Sequence, residues 1–500
     1  MYVFFKTINS AVIPALARKA FMGGSVCAML FALGGCSTNP ATGESQFTAL
    51  MSPSQENSVG AEENQNILKE YGGTVKDQAL ESYITGVGQR LVKNTERPDV
   101  QYKFIVLDSP VVNAFALPGG YVYVTRGVVA LANSEAQLAA VLAHEIGHVT
   151  ARHAAERYSH GVMTSLGASV IGAAVGSSAA AQVASLGSNL YISSYSRSQE
   201  SQADDLGVRY LYKAGYDPNA MAQFLNNLAR SSTLEAEMSG GKNAGFSYFS
   251  THPQTDGRAA QAQTQAASYP ANAKETRRDN YLHAIDGMLY GDSNDQGFVR
   301  GASFWHPQMG FTFTAPEGFV IVNTPQQVIV RSITGNVVGI FDGAPNPKGE
   351  DPMTFMTNIW MQGEKLTNTD NTAIHGKPAA VGQFEGTINQ RPVTVHLATV
   401  QWAKDKIFRF QVATPPNADA AILDAVKRLI LSLRPITPEE MQAISPYHVR
   451  LVQAGAEDSV ATLAARSSPA EYKEQIFRAL NGLAENENVT TGQLYKFVGE

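Results

Sequence analysis

Cysteine is almost missing from this chain: there are two in 500 residues, Cys27 and Cys36. A disulfide framework is therefore not what holds the fold, which must rest on core packing or on a bound metal. Tryptophan is equally scarce, and Trp305, Trp360 and Trp402 read as core residues rather than binding platforms. There is no basic surplus either. A net charge of −6 and a pI near 6.0 provide no cationic surface for gripping phosphates, so nucleic acid is not expected as a partner. Long apolar runs are wanting: the N-terminal stretch "AFMGGSVCAMLFALGGC" has an apolar heart of about fourteen residues, short for a membrane span. No tandem repeat of about 20–50 residues is visible, which argues against a solenoid. What remains is a globular composition, 44% hydrophobic and 16% charged, in a chain long enough for two or three domains.

The first 36 residues hold Lys6, Arg18 and Lys19 and no acidic residue. A positive start, an apolar middle and small residues at the end are the pattern of a secretory signal, which assigns residues 1–35 to a signal peptide. Its last residues, "LGGC", resemble the lipobox of bacterial lipoproteins, which implies lipidation of Cys36. The alternative is a membrane anchor with an incidental cysteine. Ser37 and Thr38 follow, with no aspartate of the kind that retains lipoproteins at the inner membrane. By resemblance to enterobacterial sorting, this implies the periplasmic face of the outer membrane, held by two or three acyl chains.

Residues 36–60 are rich in Ser, Thr, Pro and Gly and read as a tether. Apolar residues at three-and-four spacing from about 61 to 97 predict helix, "YKFIVLD" predicts a strand, and "NAFALPGGYVYVTRG" predicts a turn followed by an alternating strand. Ser134 and Gln137 form a capping-box pattern that starts a helix from about 135 to 158. Residues 158–196 contain no Lys, Arg, Asp or Glu, but Gly, Ala and Ser dominate them, so a buried or membrane-leaning helical cover is expected rather than a span. A second helix, "SRSQESQADDLGVRYLYKAGYDP", is stopped at Gly215 and Pro218. Beyond residue 300, "MGFTFTAP", "QQVIVRS", "NVVGIFD", "RPVTVHLATVQW" and "KIFRFQVAT" read as strands and 418–433 as a helix. The last sixty residues are similar to a LysM module in which the Gly-Asp pair is split as "GAED".

Chemistry concentrates in "LAAVLAHEIGHVTARH", residues 138–153. Positions four apart share a helical face, so His144 and His148 can address one ion, while Glu145 lies close enough to reach a metal-bound water. A catalytic zinc needs a third protein ligand and an open fourth position. "ESQAD" offers Glu200 as that ligand, and Asp204, one turn on, can accept a hydrogen bond from the second ring nitrogen of a ligand histidine. Asp205 fits a solvated face. His153 and His160 fall beyond the ligand face and read as incidental.

HExxH, then ExxxD about fifty residues on, then "THPQTDGR" at 251–258 resembles the BepA-like periplasmic metallopeptidases, whose membrane relatives are HtpX and the CAAX prenyl endopeptidases. The likeness covers about residues 45–290, including "NAFALPGGYVYVTRGVVAL" and "YDP". It stops there, because that family carries tetratricopeptide repeats where this chain has none. The resemblance implies one zinc ion on His144, His148 and Glu200, with Glu145 as general base. It also aligns His252 and Arg258 with the family's His-Pro loop and its arginine. On this reading Arg258 stabilises the tetrahedral intermediate, in preference to simply pairing with a carboxylate. His252 donates to the oxyanion, or occupies the fourth zinc position and keeps the enzyme latent. The strand "GYVYVTRG" is either an edge that pairs with extended substrate or an ordinary core strand.

The expectation is an α+β protein: a mainly helical gluzincin-type protease domain with a small β-sheet at 61–290, a β-rich α+β domain at 300–435, and a LysM-like module at 440–500. Its expected function is zinc-dependent hydrolysis of misfolded or unfolded envelope proteins in outer-membrane quality control. Its expected partners are those polypeptides, the membrane through Cys36, and peptidoglycan or the outer-membrane assembly machinery. The rival expectations are a latent chaperone or scaffold lipoprotein and a cell-wall-binding lipoprotein.

Overall fold

The computed structural model describes residues 36–175, 194–238, 248–253, 257–469 and 471–500. The expected signal peptide, and residues 176–193 of the charge-free stretch, lie outside the described residues. The fold is α+β, with a helical N-terminal part around a small sheet and a β-rich part after it, as the sequence patterns predict.

Residues 36–60 are not a free tether. β1 (Cys36–Thr38) and β2 (Ser45–Phe47) pair as an antiparallel hairpin, and α1 (Pro53–Glu70) begins on a Ser52 capping box. Asn39, Ala41, Gln46, Thr48, Met51 and Glu56 are all buried. Ser, Thr, Asn and Gly suit tight turns and helix caps as well as they suit open coil, so composition alone misassigns such a segment.

α2 (Gln78–Val92) starts on Asp77 and buries Leu80, Ile84, Val87 and Leu91. β3 (Lys103–Leu107), β4 (Ala114–Leu117) and β5 (Tyr121–Thr125) form a sheet in the order β3-β5-β4. β5 is therefore the central strand, parallel to β3 and antiparallel to β4. With both sides of its backbone paired, "GYVYVTRG" has no free edge for substrate; β3 and β4 are the edge strands. α3 (Arg126–Leu131) and α4 (Glu135–Thr150) follow, and every residue of α4 is buried. The predicted helix over 135–158 is in fact two: the chain breaks at Arg152, which has φ of 58°, and restarts as α5 (His153–Val175). Left-handed backbone is costly for arginine. Its side chain holds it there, with Nε donating to Glu56 at 2.8 Å and one terminal nitrogen donating to Met51 O at 2.8 Å.

α6 (Arg197–Lys213) packs along α4, followed by α7 (Ala220–Met238), α8 (Tyr248–Thr251), α9 (Arg258–Ala267) and α10 (Arg278–Ile285). Two glycines set the α4–α6 spacing. A Cβ on Gly207 would stand 3.2 Å from His144 N, and one on Gly147 would stand 3.1 Å from Ala203 O. Leu138, Val141, Leu142 and Ile146 of α4 share one core with Leu206, Val208 and Leu211 of α6.

After β6 (Leu289–Tyr290), the strands β7 (Phe298–Arg300), β8 (Ser303–His306) and β9 (Phe311–Thr314) open the β-rich domain. Its large antiparallel sheet uses β10 (Phe319–Asn323), β11 (Val328–Ser332), β12 (Val338–Pro345), β13 (Thr367–Ile374), β14 (Lys377–Ile388), β15 (Arg391–Ala403) and β16 (Lys406–Thr414). These lie in the order β10-β11-β12-β16-β15-β14-β13. Phe304, Phe311, Phe313, Phe341, Phe408 and Phe410 fill its core, closed by Leu429 of α11 (Ala420–Leu431). A short β17 (Arg434–Pro435) pairs with β9.

The C-terminal unit is strand–helix–helix–strand: β18 (Tyr447–Gln453), α12 (Val460–Ala464), α13 (Lys473–Asn481) and β19 (Leu494–Gly499). It is not an independent bead. β18 also pairs with β6, and Val449, Ile476, Leu480 and Val498 belong to the same core as α4. The fully buried Lys496 donates from Nζ to Ala130 O and Ala132 O, each at 2.6 Å. Among the described residues, no helix is long and apolar enough to cross a membrane.

Candidate metal centre

His144 and His148 sit one turn apart on α4, their rings edge to face with centroids 4.7 Å apart. Ser134 caps the helix by accepting from Gln137 N at 3.2 Å. Gln137 Oε1 does not close the box on Ser134; it accepts from Asn133 N at 2.9 Å. Because glycine keeps α6 close, Glu200 and Asp204 reach this face. Asp204 Oδ1 lies 2.9 Å from His144 Nδ1, which leaves His144 Nε2 turned inward.

His252 joins them, although 104 residues separate it from His148 in the chain. It follows α8, its backbone N–H donating to Tyr248 O at 2.8 Å, and its ring stacks on Tyr248 with centroids 4.4 Å apart. The donor atoms converge. His144 Nε2 is 3.1 Å from His148 Nε2 and 3.2 Å from His252 Nδ1, and Glu200 Oε1 is 2.9 Å from His252 Nδ1 and 3.5 Å from His148 Nε2. Four nitrogen and oxygen donors placed about 2.1 Å from a tetrahedral centre stand about 3.4 Å apart, close to this spacing. All four side chains are buried. Three imidazoles and one carboxylate suit a borderline divalent cation, so the residues fit a metal ion.

Glu145 is fully buried beside this cluster, and neither carboxylate oxygen accepts a hydrogen bond among the described residues. His252 Nε2 stands 3.4 Å from Glu145 Oε1. Burial pushes the Glu145 carboxyl up from its ordinary value, only partly offset by the His252 and His144 rings. Burial also holds His148 well below its ordinary value. For Asp204 burial acts upward, but hydrogen bonds from Arg258 and His144 outweigh it and hold the carboxyl down.

The preferred role of Arg258 on the tetrahedral intermediate needs correction. Its guanidinium grips Asp204 with Nε at 2.8 Å from Oδ2 and a second nitrogen at 2.8 Å from Oδ1, and a third nitrogen lies 2.8 Å from Glu200 Oε2. Its donors face carboxylates on α6, so it orients and neutralises them. His153 needs correction too. It is buried, not incidental: its Nδ1 lies 2.7 Å from His148 Nδ1 and its Nε2 lies 2.7 Å from Gln202 Oε1. Tyr195 was also missed; its ring stacks on His148 with centroids 3.6 Å apart. No periodicity signals these contacts, because they depend on the chain break at Arg152 and on the meeting of α4, α6 and the segment before α6. Cys36 lies in β1.

A buried cation site built from an HExxH helix, a glutamate of a second helix and a third histidine defines an HExxH metalloprotein. Residues 78–266 match the model of peptidase family M48. The chain is 32% identical over 234 residues to the beta-barrel assembly-enhancing protease of Yersinia pestis, covering 44% of this chain and 46% of that protein. It is 31% identical over 220 residues to the protein of the same name from Escherichia coli strain K12, covering 42% and 43%. It is 32% identical over 198 residues to the mitochondrial metalloendopeptidase OMA1 of Schizosaccharomyces pombe, covering 38% and 55%. The chain thus spans about half the length of the curated relatives it matches.

Proposed function

We propose that this protein is a zinc-dependent endopeptidase acting on unfolded or misfolded polypeptides of the bacterial envelope. The observation that carries the reading is the convergence of His144, His148 and Glu200 beside a buried Glu145 whose carboxylate accepts no hydrogen bond among the described residues. His144, His148 and Glu200 would hold zinc, which, when bound, supplies Lewis-acid activation of water and of the peptide carbonyl. Glu145 takes the proton of the attacking water and returns it to the leaving amine. Its upward-shifted carboxyl suits a group that must both accept and release a proton. Asp204 and Arg258 hold the ligands in place. β4, the edge strand whose Ala114 O faces His252 Nε2, is the strand on which an extended substrate would pair through its backbone once that ring moves away. Selection is then for unfolded chain rather than for one sequence.

His252 supports latency, because its Nδ1 stands among the ligand atoms where water would have to enter. Turnover then requires this ring to leave. The quality-control role is taken from the relatives' name, which ties them to β-barrel assembly. Lipidation at Cys36, attachment to the periplasmic face of the outer membrane, and contact of residues 440–500 with peptidoglycan complete the proposal.

The test compares wild type, Glu145→Gln and His252→Ala for bound zinc and casein cleavage. Loss of a general base costs about 10²–10⁴-fold in rate, so Glu145→Gln should retain zinc and lose cleavage by that factor. Equal cleavage by all three proteins would remove the proposal.

A further inference from the structure

To face the other ligands with a bare Nε2, His148 must carry its proton on Nδ1. That nitrogen lies 2.7 Å from His153 Nδ1, a separation at which one ring donates and the other accepts. The direction is set from outside. His153 Nε2 lies 2.7 Å from Gln202 Oε1, which can only accept, so His153 donates there and offers its Nδ1 lone pair to His148. Gln202 is itself held in one orientation. Its Nε2 donates to Glu44 Oε2 at 2.8 Å, and its Oε1 accepts from Asn39 Nδ2 at 3.0 Å. Turning the amide over would set its oxygen against the Glu44 carboxylate and its NH₂ against that of Asn39.

Asn39 and Glu44 both belong to the turn of the β1–β2 hairpin, closed by Asn39 N donating to Glu44 O at 2.7 Å. We infer that this N-terminal hairpin, acting through Gln202 and then His153, is a positioning device that fixes the tautomer and aim of the metal ligand His148. His153 and Gln202 are positioning residues, and the metal site is complete only when the hairpin is docked. The hairpin starts at Cys36, three residues before Asn39. A strained or detached N-terminus would therefore weaken metal binding at the far end of the relay. The inference rests on the proposed function only in taking His148 for a metal ligand.

The experiment measures zinc affinity by chelator competition, the visible spectrum of the cobalt(II)-loaded protein, and melting of the metal-free protein. Loss of a hydrogen-bond partner behind a ligand histidine lowers metal affinity by about 10–100-fold, the loss expected for His153→Ala together with a shifted cobalt band. Gln202→Ala and Asn39→Ala should move both readouts the same way by less. Exchanging the pair, Gln202→Glu with Glu44→Gln, keeps an acceptor for His153 and a donor–acceptor contact at the hairpin, so it should restore wild-type affinity. Gln202→Glu alone sets two carboxylates face to face and should not. Wild-type zinc affinity in both His153→Ala and Gln202→Ala overturns the inference, as does failure of the exchange to restore binding in a normally melting protein. If His153→Ala does not fold, Asn39→Ala and the exchange decide the matter. A wild type that holds no stoichiometric metal would overturn the proposed function, whereas a metal-binding wild type with indifferent variants overturns this inference alone.

Discussion

Replacing Arg258 by methionine separates two roles for this residue. The guanidinium is buried and meets two carboxylates, Asp204 through two 2.8 Å hydrogen bonds and Glu200 at 2.8 Å. Methionine keeps much of the volume and removes the cation, leaving Asp204 facing His144 Nδ1 at 2.9 Å. Removing one partner of a buried ion pair costs about 3–5 kcal/mol. For a folding unit of this size, that is a fall in Tm of about 6–20 °C. The loss should be largest in the metal-free protein, because a bound cation offsets the charge of Glu200. Zinc then stabilises the variant more than it stabilises wild type, so by linkage its zinc affinity should rise. Arg258→Lys should recover only part of the loss, since an ammonium keeps the charge but cannot form the planar fork. The assay is thermal unfolding with and without zinc, paired with chelator competition. If Arg258→Met melts within about 2 °C of wild type, keeps its zinc and loses only turnover, the ion-pair assignment is wrong and the residue acts on the reacting carbonyl.

Other expectations follow from single contacts. Burial holds the Lys496 ammonium well below its ordinary value. Its folded pKa is therefore depressed below the unfolded one, folding releases a proton between the two, and stability rises with pH across that window by up to about 1.4 kcal/mol per unit. Urea unfolding at pH 7, 8 and 9 should show this slope shrink in Lys496→Met; an unchanged slope would mean the lysine is charged in the fold. A side chain at Gly207 would press on Met221 and on the backbone at His144, so Gly207→Val should cost about 1–3 kcal/mol by overpacking and loosen zinc binding. A Gly207→Val protein with wild-type melting and wild-type zinc affinity would show that α4 and α6 can separate without harm to the site.

Much of the site was legible because its parts are local. HExxH and ExxxD are spacings within one helix each, and helical geometry places such residues on one face wherever the helix lies. The alternating strands β11, β12, β15 and β16 were legible for the same reason. β14 was not, since "KPAAVGQFEGTI" mixes Ala, Gly and Pro with few β-branched residues, and only its neighbours β13 and β15 make it a strand. His153 was misread for a geometric reason. Five residues beyond His148 on an unbroken helix it would lie about 140° round the axis, and only the left-handed Arg152 brings it back. Nothing in "HVTARH" announces that break, because it is held by Glu56 and Met51 from another part of the chain.

The amino-acid order alone determined which residue types could bind a cation and which helices carried them. Side-chain spacing on a helix is a property of a few consecutive residues. It could not decide whether those helices met, which strand was central in the sheet, what the arginine faced, or that an N-terminal hairpin stood behind a ligand. Each of those depends on contacts between residues tens to hundreds of positions apart, set by close packing of α4 on α6 and by hydrogen bonds that exist only once the chain has folded.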